Sequence, residues 1–124
     1  MNPKKFNPNN LEKTVLHHDN DGDFFILPAH SYGLGVALEK MKVPENITVI
    51  CIGKSTYARL GIIVNTTPAE AGWEGHLTLE FSNSSGADCR IYANEGICQL
   101  LFFEGDPCST TYEERRGKYQ NQPE

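Results

Sequence analysis

Short apolar or alternating runs, each closed by turn residues, most restrict what this chain can fold into: Phe24–Leu27, Tyr32–Leu38, Ile47–Ile52, Gly61–Asn65, His76–Phe81, Cys89–Tyr92 and Ile97–Phe103. Each has the length of a strand, and none grows into a segment of 3.6-residue period, so the spacing predicts an all-β barrel or sandwich. The punctuation agrees. Asp19-Asn20-Asp21-Gly22, Val43-Pro44-Glu45-Asn46, Ser84-Ser85-Gly86 and Glu104-Gly105-Asp106-Pro107 fall among the runs, and such residues favour turns because they accept unusual backbone angles or bond their own main chain. One short helical turn is expected at Ser55–Arg59, with a serine able to cap it. The 124 residues suit one domain, 1–124, which needs no metal or disulfide staple. A polar arm is read over 1–22 and a separate C-terminal segment over 111–124. The final stretch, Tyr119 to Glu124, is polar and unpatterned and reads as an extension.

Charge narrows the partners. Eleven basic residues against 16 acidic ones leave a net charge of −5, which disfavours a broad nucleic-acid surface but permits a small anion in a local basic pocket. No apolar run approaches the ~20 residues that span a bilayer, and the start MNPKKFNPNN lacks a signal-peptide hydrophobic region, so the cytoplasm is the expected compartment. Cysteines at 51, 89, 98 and 108 form no C-x-x-C pair and read as free thiols. The histidines lack zinc spacing, and His17-His18 beside Asp19, Asp21 and Asp23 reads as a solvated turn rather than a metal site.

The stretch "GKST" at Gly53–Thr56 looks like the end of a nucleotide-binding P-loop. That motif needs a glycine five positions earlier so that successive amides wrap the phosphates. Thr48 stands there, in a β-branched run that suits a buried strand, so the P-loop reading fails. Lys54, Ser55 and Thr56 at the start of a helical turn still offer a cation, hydroxyls and amides to an anion.

The run His76–Phe81 alternates, placing Leu77, Leu79 and Phe81 on one face and His76, Thr78 and Glu80 on the other. Polar residues gather at strand ends: Ser55, Thr56, Arg59, Asn65, Thr66, Thr67, Glu70 and Gln99. With the basic stretch Arg115-Arg116-Gly117-Lys118 they supply cations, hydroxyls and one candidate carboxylate base, the inventory of an enzyme acting on a phosphorylated substrate. Each residue taken alone has an ordinary explanation as a cap, a turn or an edge hydrogen bond.

Three long ordered blocks, "CIGKSTYARLGIIVNTTPAEAGWEGHLTLEFSN" (51–83), "IYANEGICQLLFFEG" (91–105) and "TYEERRGKYQNQ" (111–122), resemble the dCTP deaminase branch of the dUTPase-like superfamily. The resemblance implies a distorted antiparallel β barrel of the jelly-roll type, with one or two short helical turns, and a homotrimer whose subunits share active sites. It implies hydrolytic loss of ammonia from C4 of cytosine in dCTP, giving dUTP, without zinc. Magnesium would arrive with the triphosphate.

Position by position, Glu80 in "LTLEF" matches the catalytic glutamate, a general base on water and then a proton shuttle. A free carboxylate is a weak base, so a partly closed pocket is expected around it. Ser55 and Arg59 match the residues that orient that glutamate and the attacking water, and Lys54 and Thr56 match phosphate-side positions. Thr67 and Pro68 match the turn whose backbone meets the base. Glu70 stands where relatives carry aspartate beside the sugar. Leu77, Thr78, Leu79 and Glu80 belong to the strand that meets the pyrimidine, and Tyr112, Lys118 and Gln122 match the segment that closes over the nucleotide, with Gln99 a further contact.

Compared with the family pattern, the chain reads as short or truncated: residues before its start, including a tyrosine- and glycine-rich stretch at the trimer contacts, and an apolar strand after "KYQNQ" are missing. Two alternatives stay open. One is a bifunctional enzyme that also cleaves dUTP to dUMP and pyrophosphate; the other is a deoxynucleotide-binding homologue without turnover. Inhibition by dTTP is a further candidate property.

Overall fold

The apolar runs become strands. In the computed structural model, which describes residues 2–7 and 12–123, they are β1 (His17–Asp19), β2 (Gly22–Leu27), β3 (Tyr32–Lys42), β4 (Ile47–Gly53), β5 (Ile62–Asn65), β6 (Glu74–Asn83), β7 (Cys89–Tyr92) and β8 (Cys98–Glu104). A five-residue helix, α1 (Ser55–Arg59), precedes β5, and a 3-10 turn covers Pro3–Lys5. The strands pair antiparallel in three small sheets ordered β1-β2-β7, β3-β6-β5 and β4-β8. This is the expected all-β class, with sheets facing a shared core.

The core sits where the alternation placed it. Along β6, Leu77, Leu79 and Phe81 are buried while His76, Thr78 and Glu80 are half-buried, each buried side chain contributing roughly 1.5–3 kcal/mol by leaving water. Val49 of β4 and Ile62 of β5 are the largest side chains fully enclosed. Across from β6, β3 turns Gly33, Gly35 and Ala37 inward. Gly35 has no room for a side chain because the Phe81 ring lies over it: a Cβ there would stand 2.7 Å from Phe81 Cε2.

Four expectations change. The polar arm read over 1–22 enters the fold before its end: His17–Asp19 pairs with Gly22–Phe24 through the Asn20-Asp21 turn, and His17 stacks on Phe24 at 5.4 Å. Paired backbone and ring packing outweigh the polar composition there. Ser55 is not a cap. Lys54 occupies that position without a side-chain hydrogen bond, and Ser55 is the first residue inside α1. β3 runs on to Lys42, past the Leu38 boundary read from sequence, with a register irregularity between Val36 and Lys40.

The C-terminal stretch is no loose extension. Gln122 bridges Gly75 in parallel, Trp73 Nε1 donates to Tyr119 O at 2.8 Å, and Asn121 N donates to Glu74 O at 2.7 Å. Its apolar pattern was weak because main-chain and indole hydrogen bonds attach it. Positions 1, 8–11 and 124 of the expected arm and tail lie outside the described residues.

The four cysteines are free. Burial, then the neighbouring Cys98 thiol, pushes the Cys51 thiol up to about 12, so it is a packing group and not a nucleophile.

Candidate active site

Strand pairing decides what surrounds Glu80. On the outward face of the β3-β6-β5 sheet, Glu80 lies opposite Leu34 on one side and Asn65 on the other, close enough for side chains to meet. Asn65 Nδ2 donates to Glu80 Oε2 at 3.2 Å. Two residues along the strand, Gln122 Nε2 donates to Thr78 Oγ1. Glu80, Thr78, Gln122 and Asn65 therefore share one face. Sequence reasoning counted Asn65 only among strand-end polar residues; its opposition to Glu80 is a register property that a linear pattern does not carry.

The other half of the predicted constellation lies elsewhere. α1 leads into β5 at Ile62, which pairs with Asn83, three residues and about 10 Å along the strand from Glu80. Among the described residues neither Ser55 nor Arg59 hydrogen-bonds Glu80, whose side-chain partner is Asn65. Both are exposed. Lys54 Nζ donates to Gly96 O at 3.1 Å, and Lys54 and Thr56 line an open cavity of about 290 Å³ with Tyr57, Arg90, Tyr92 and Glu95. There Tyr57 Oη accepts the Tyr92 N–H at 3.1 Å, and burial raises the Tyr57 phenol above its ordinary range.

The remaining candidates are distributed over several elements. Thr67 and Pro68 are exposed in the loop after β5, just before the Val49–Ala69 bridge. Glu70 accepts a hydrogen bond from Arg115 Nη2, tying the loop to the basic C-terminal stretch. Arg115 also sits 5.0 Å over the Tyr112 ring, and Tyr112 Oη accepts from Tyr119 N at 2.8 Å. Lys118 Nζ donates to Phe6 O at 3.2 Å. Gln99 is exposed on β8 opposite Ile52. Leu79 is buried on the core side of β6, which leaves its main chain, not its side chain, for a ligand on the Glu80 face.

Apolar residues stand bare around these groups. Leu34, Val36 and Ile63 are exposed on the face that carries Glu80, and Ile50, Ile52, Leu101 and Phe103 are exposed on the outer face of β4-β8 beside Gln99. Large uncovered apolar patches are a feature of surfaces that meet a partner or a ligand.

Gly75 fixes the C-terminal segment against β6. A Cβ there would lie 2.8 Å from Gln122 N and 3.1 Å from Trp73 Cζ2, at a φ of +150°. Gly75→Ala is expected to lift residues 119–122 off the strand: trypsin would cut after Lys118 several-fold faster, and emission of the single tryptophan would move to the red. Unchanged cleavage and emission would refute this role for the contact.

A family model described as dCTP deaminase-like matches residues 3–105. The chain is 51% identical to a dCTP deaminase of Campylobacter jejuni over 123 residues, covering 98% of this chain and 63% of the relative. It is 51% identical to a dCTP deaminase of Rickettsia typhi, covering 98% and 62%, and 49% identical to one of Neorickettsia sennetsu over 116 residues, covering 93% and 62%. The chain thus spans about 63% of the length of the curated relatives it matches. Among solved structures it is similar to the native EIAV dUTPase, with a TM-score of 0.60 at 19% identity over 78% of this chain and 89% of the other. At that identity the likeness concerns the fold.

Proposed function

The chain belongs to the dCTP deaminase-like family, and we propose that it deaminates dCTP hydrolytically to dUTP and ammonia, without zinc, in sites shared between copies of a homotrimer in the cytoplasm. One observation carries the reading. The carboxylate is supported on an outward face of β6 by Asn65, while the serine and arginine expected to work with it lie in α1 and the lysine caps that helix, none of them, among the described residues, hydrogen-bonded to Glu80. A second copy laid against the exposed apolar residues would bring its α1 to Glu80 and bury Leu34, Val36 and Ile63.

In this reading Glu80 takes a proton from water as the oxygen attacks C4 and gives it to N3. It then takes the remaining proton of the C4 hydroxyl and gives it to the amine, so that ammonia leaves as the carbonyl forms. Arg59 and Ser55 of the neighbouring copy hold the water and the carboxylate. Lys54 and Thr56 meet the phosphates, Thr78 and the Leu79 main chain meet the pyrimidine, and Thr67, Pro68 and Glu70 border the sugar and base. Gln99, Tyr112, Lys118 and Gln122 complete the enclosure. Magnesium accompanies the triphosphate as part of the substrate. Among the described residues no helix is long and apolar enough to cross a membrane.

The test incubates the chain with dCTP and magnesium, measures ammonia, separates dUTP from dUMP, and records the mass in solution. Ammonia with dUTP from a species of three copies is expected. Binding of dCTP without ammonia would replace the reading with a non-catalytic nucleotide-binding module, dUMP would show coupled diphosphate release, and dTTP in a parallel arm tests inhibition.

A further inference from the structure

We propose that Asn65 is a positioning residue for Glu80, selecting which carboxylate oxygen is free to move protons; this rests on the reading of Glu80 as general base. A glutamate side chain has three rotatable bonds, and holding it in one arrangement costs rotamer freedom that a partner must offset. The surroundings of Glu80 are asymmetric. Its β3 neighbour is Leu34, which has no polar atom to offer, and its β5 neighbour is Asn65. Thr78, two residues along the same face, is occupied by Gln122. Among the described residues the hydrogen bond from Asn65 Nδ2 to Oε2 is the side-chain hydrogen bond that Glu80 makes.

Three consequences follow from the chemistry of an amide in that place. The donor sits on Oε2, so Oε1 is left with its lone pairs for water and the departing proton. An amide does not titrate near neutral pH, so it neither takes the proton that Glu80 must carry nor adds a charge beside it. Because Asn65 and Glu80 are a directly opposed pair of an antiparallel ladder, their spacing is set by main-chain hydrogen bonds rather than by a mobile loop. The charged or titratable groups nearest on this face are Tyr32, opposite Ser82 two residues after Glu80, His76, four residues before Glu80, and Lys40 opposite His76; His76 has its Nδ1 on Ala37 O at 3.0 Å and Lys40 pairs with Glu74 at 3.1 Å.

The experiment compares Asn65→Ala, Asn65→Gln and Asn65→Asp with the unmodified chain, each checked for folding by melting temperature. Removing the donor is expected to lower kcat for ammonia release about tenfold with KM changed less than about twofold, the population that one hydrogen bond to a charged group holds in place. The Gln variant, which keeps the donor, should recover most of the loss. The Asp variant places a second carboxylate against the first and should move the acid limb of the pH profile upward by about one unit.

A readout free of turnover accompanies these: the Glu80 carboxylate ¹³C resonance at pH 7 should move in the Ala and Asp variants and return toward its original position in the Gln variant. If the unmodified chain releases no ammonia, the deaminase reading fails, and the resonance alone decides the Asn65 contact. A resonance unmoved in folded Ala and Asp variants, or a Gln variant as impaired as the Ala variant, overturns the proposal.

Discussion

Replacing Asn83 by alanine should lower the melting temperature by about 10–20 °C, corresponding to roughly 3–5 kcal/mol in a domain of this size. The residue is 2% exposed at the end of β6, yet it is polar, and every polar atom of its side chain is used. Its amide donates to Leu27 O at 3.0 Å, Pro28 O at 3.2 Å and Ala87 O at 2.8 Å, while Oδ1 accepts from Ser85 N at 3.0 Å and Ser85 Oγ at 2.7 Å. One side chain thus joins the β2–β3 turn to the β6–β7 turn. Alanine would take the amide donor from all three carbonyls and the Oδ1 acceptor from Ser85 in a site with little access for water, although Pro28 O keeps Ser31 and Ala87 O keeps Ser85 Oγ as donors. Asn83→Asp should cost at least as much, because a carboxylate donates nothing and would face the same three oxygens. A melting temperature within 2–3 °C of the parent for both variants, less than about 1 kcal/mol, would show that the turns hold without it.

Glu80→Gln should reduce ammonia release from dCTP about a thousandfold while leaving the fold and dCTP binding in place. The amide keeps the length of the side chain and can still accept from Asn65, but it cannot take a proton from water. Ser55→Ala alone should also be impaired. Because α1 and Glu80 stand apart in one chain, equal amounts of the two impaired proteins, unfolded and reassembled together, should regain about a quarter of the parent activity, the share of random pairings in which an intact α1 meets an intact Glu80. Activity undiminished in Glu80→Gln would remove the proposed base. No recovery on mixing would mean that each site is built within one chain.

How much of this was readable beforehand differs by element. The strand runs were legible because turn residues and a two-residue alternation leave few ways to bury Leu77, Leu79 and Phe81 together. α1 was legible from its position after β4. β1 was not. Its three residues are His-His-Asp, which no propensity favours, and they form a strand because β2 offers them a paired edge and Phe24 a ring to stack on. The C-terminal stretch was misjudged for a related reason: it is held by the Trp73 indole and by main-chain groups of β6, and hydrogen bonds of that kind leave little trace in side-chain pattern.

The candidate site divides along the same line. Residue types and their order, set against a family resemblance, were enough to single out Glu80, the α1 residues and the C-terminal segment, because chemistry restricts which side chains can serve as base, cation and hydroxyl. Which of them meet was a matter of register. The pairing of β5 with β6 puts Asn65, and not Ser55 or Arg59, on Glu80. The sequence by itself determined the all-β class, the core face of β6 and the list of reactive groups, since burial and alternation act locally along the chain. Only the tertiary structure decided how those groups are distributed over separate faces, because contacts between strands distant in sequence depend on how the whole set of sheets closes around one core.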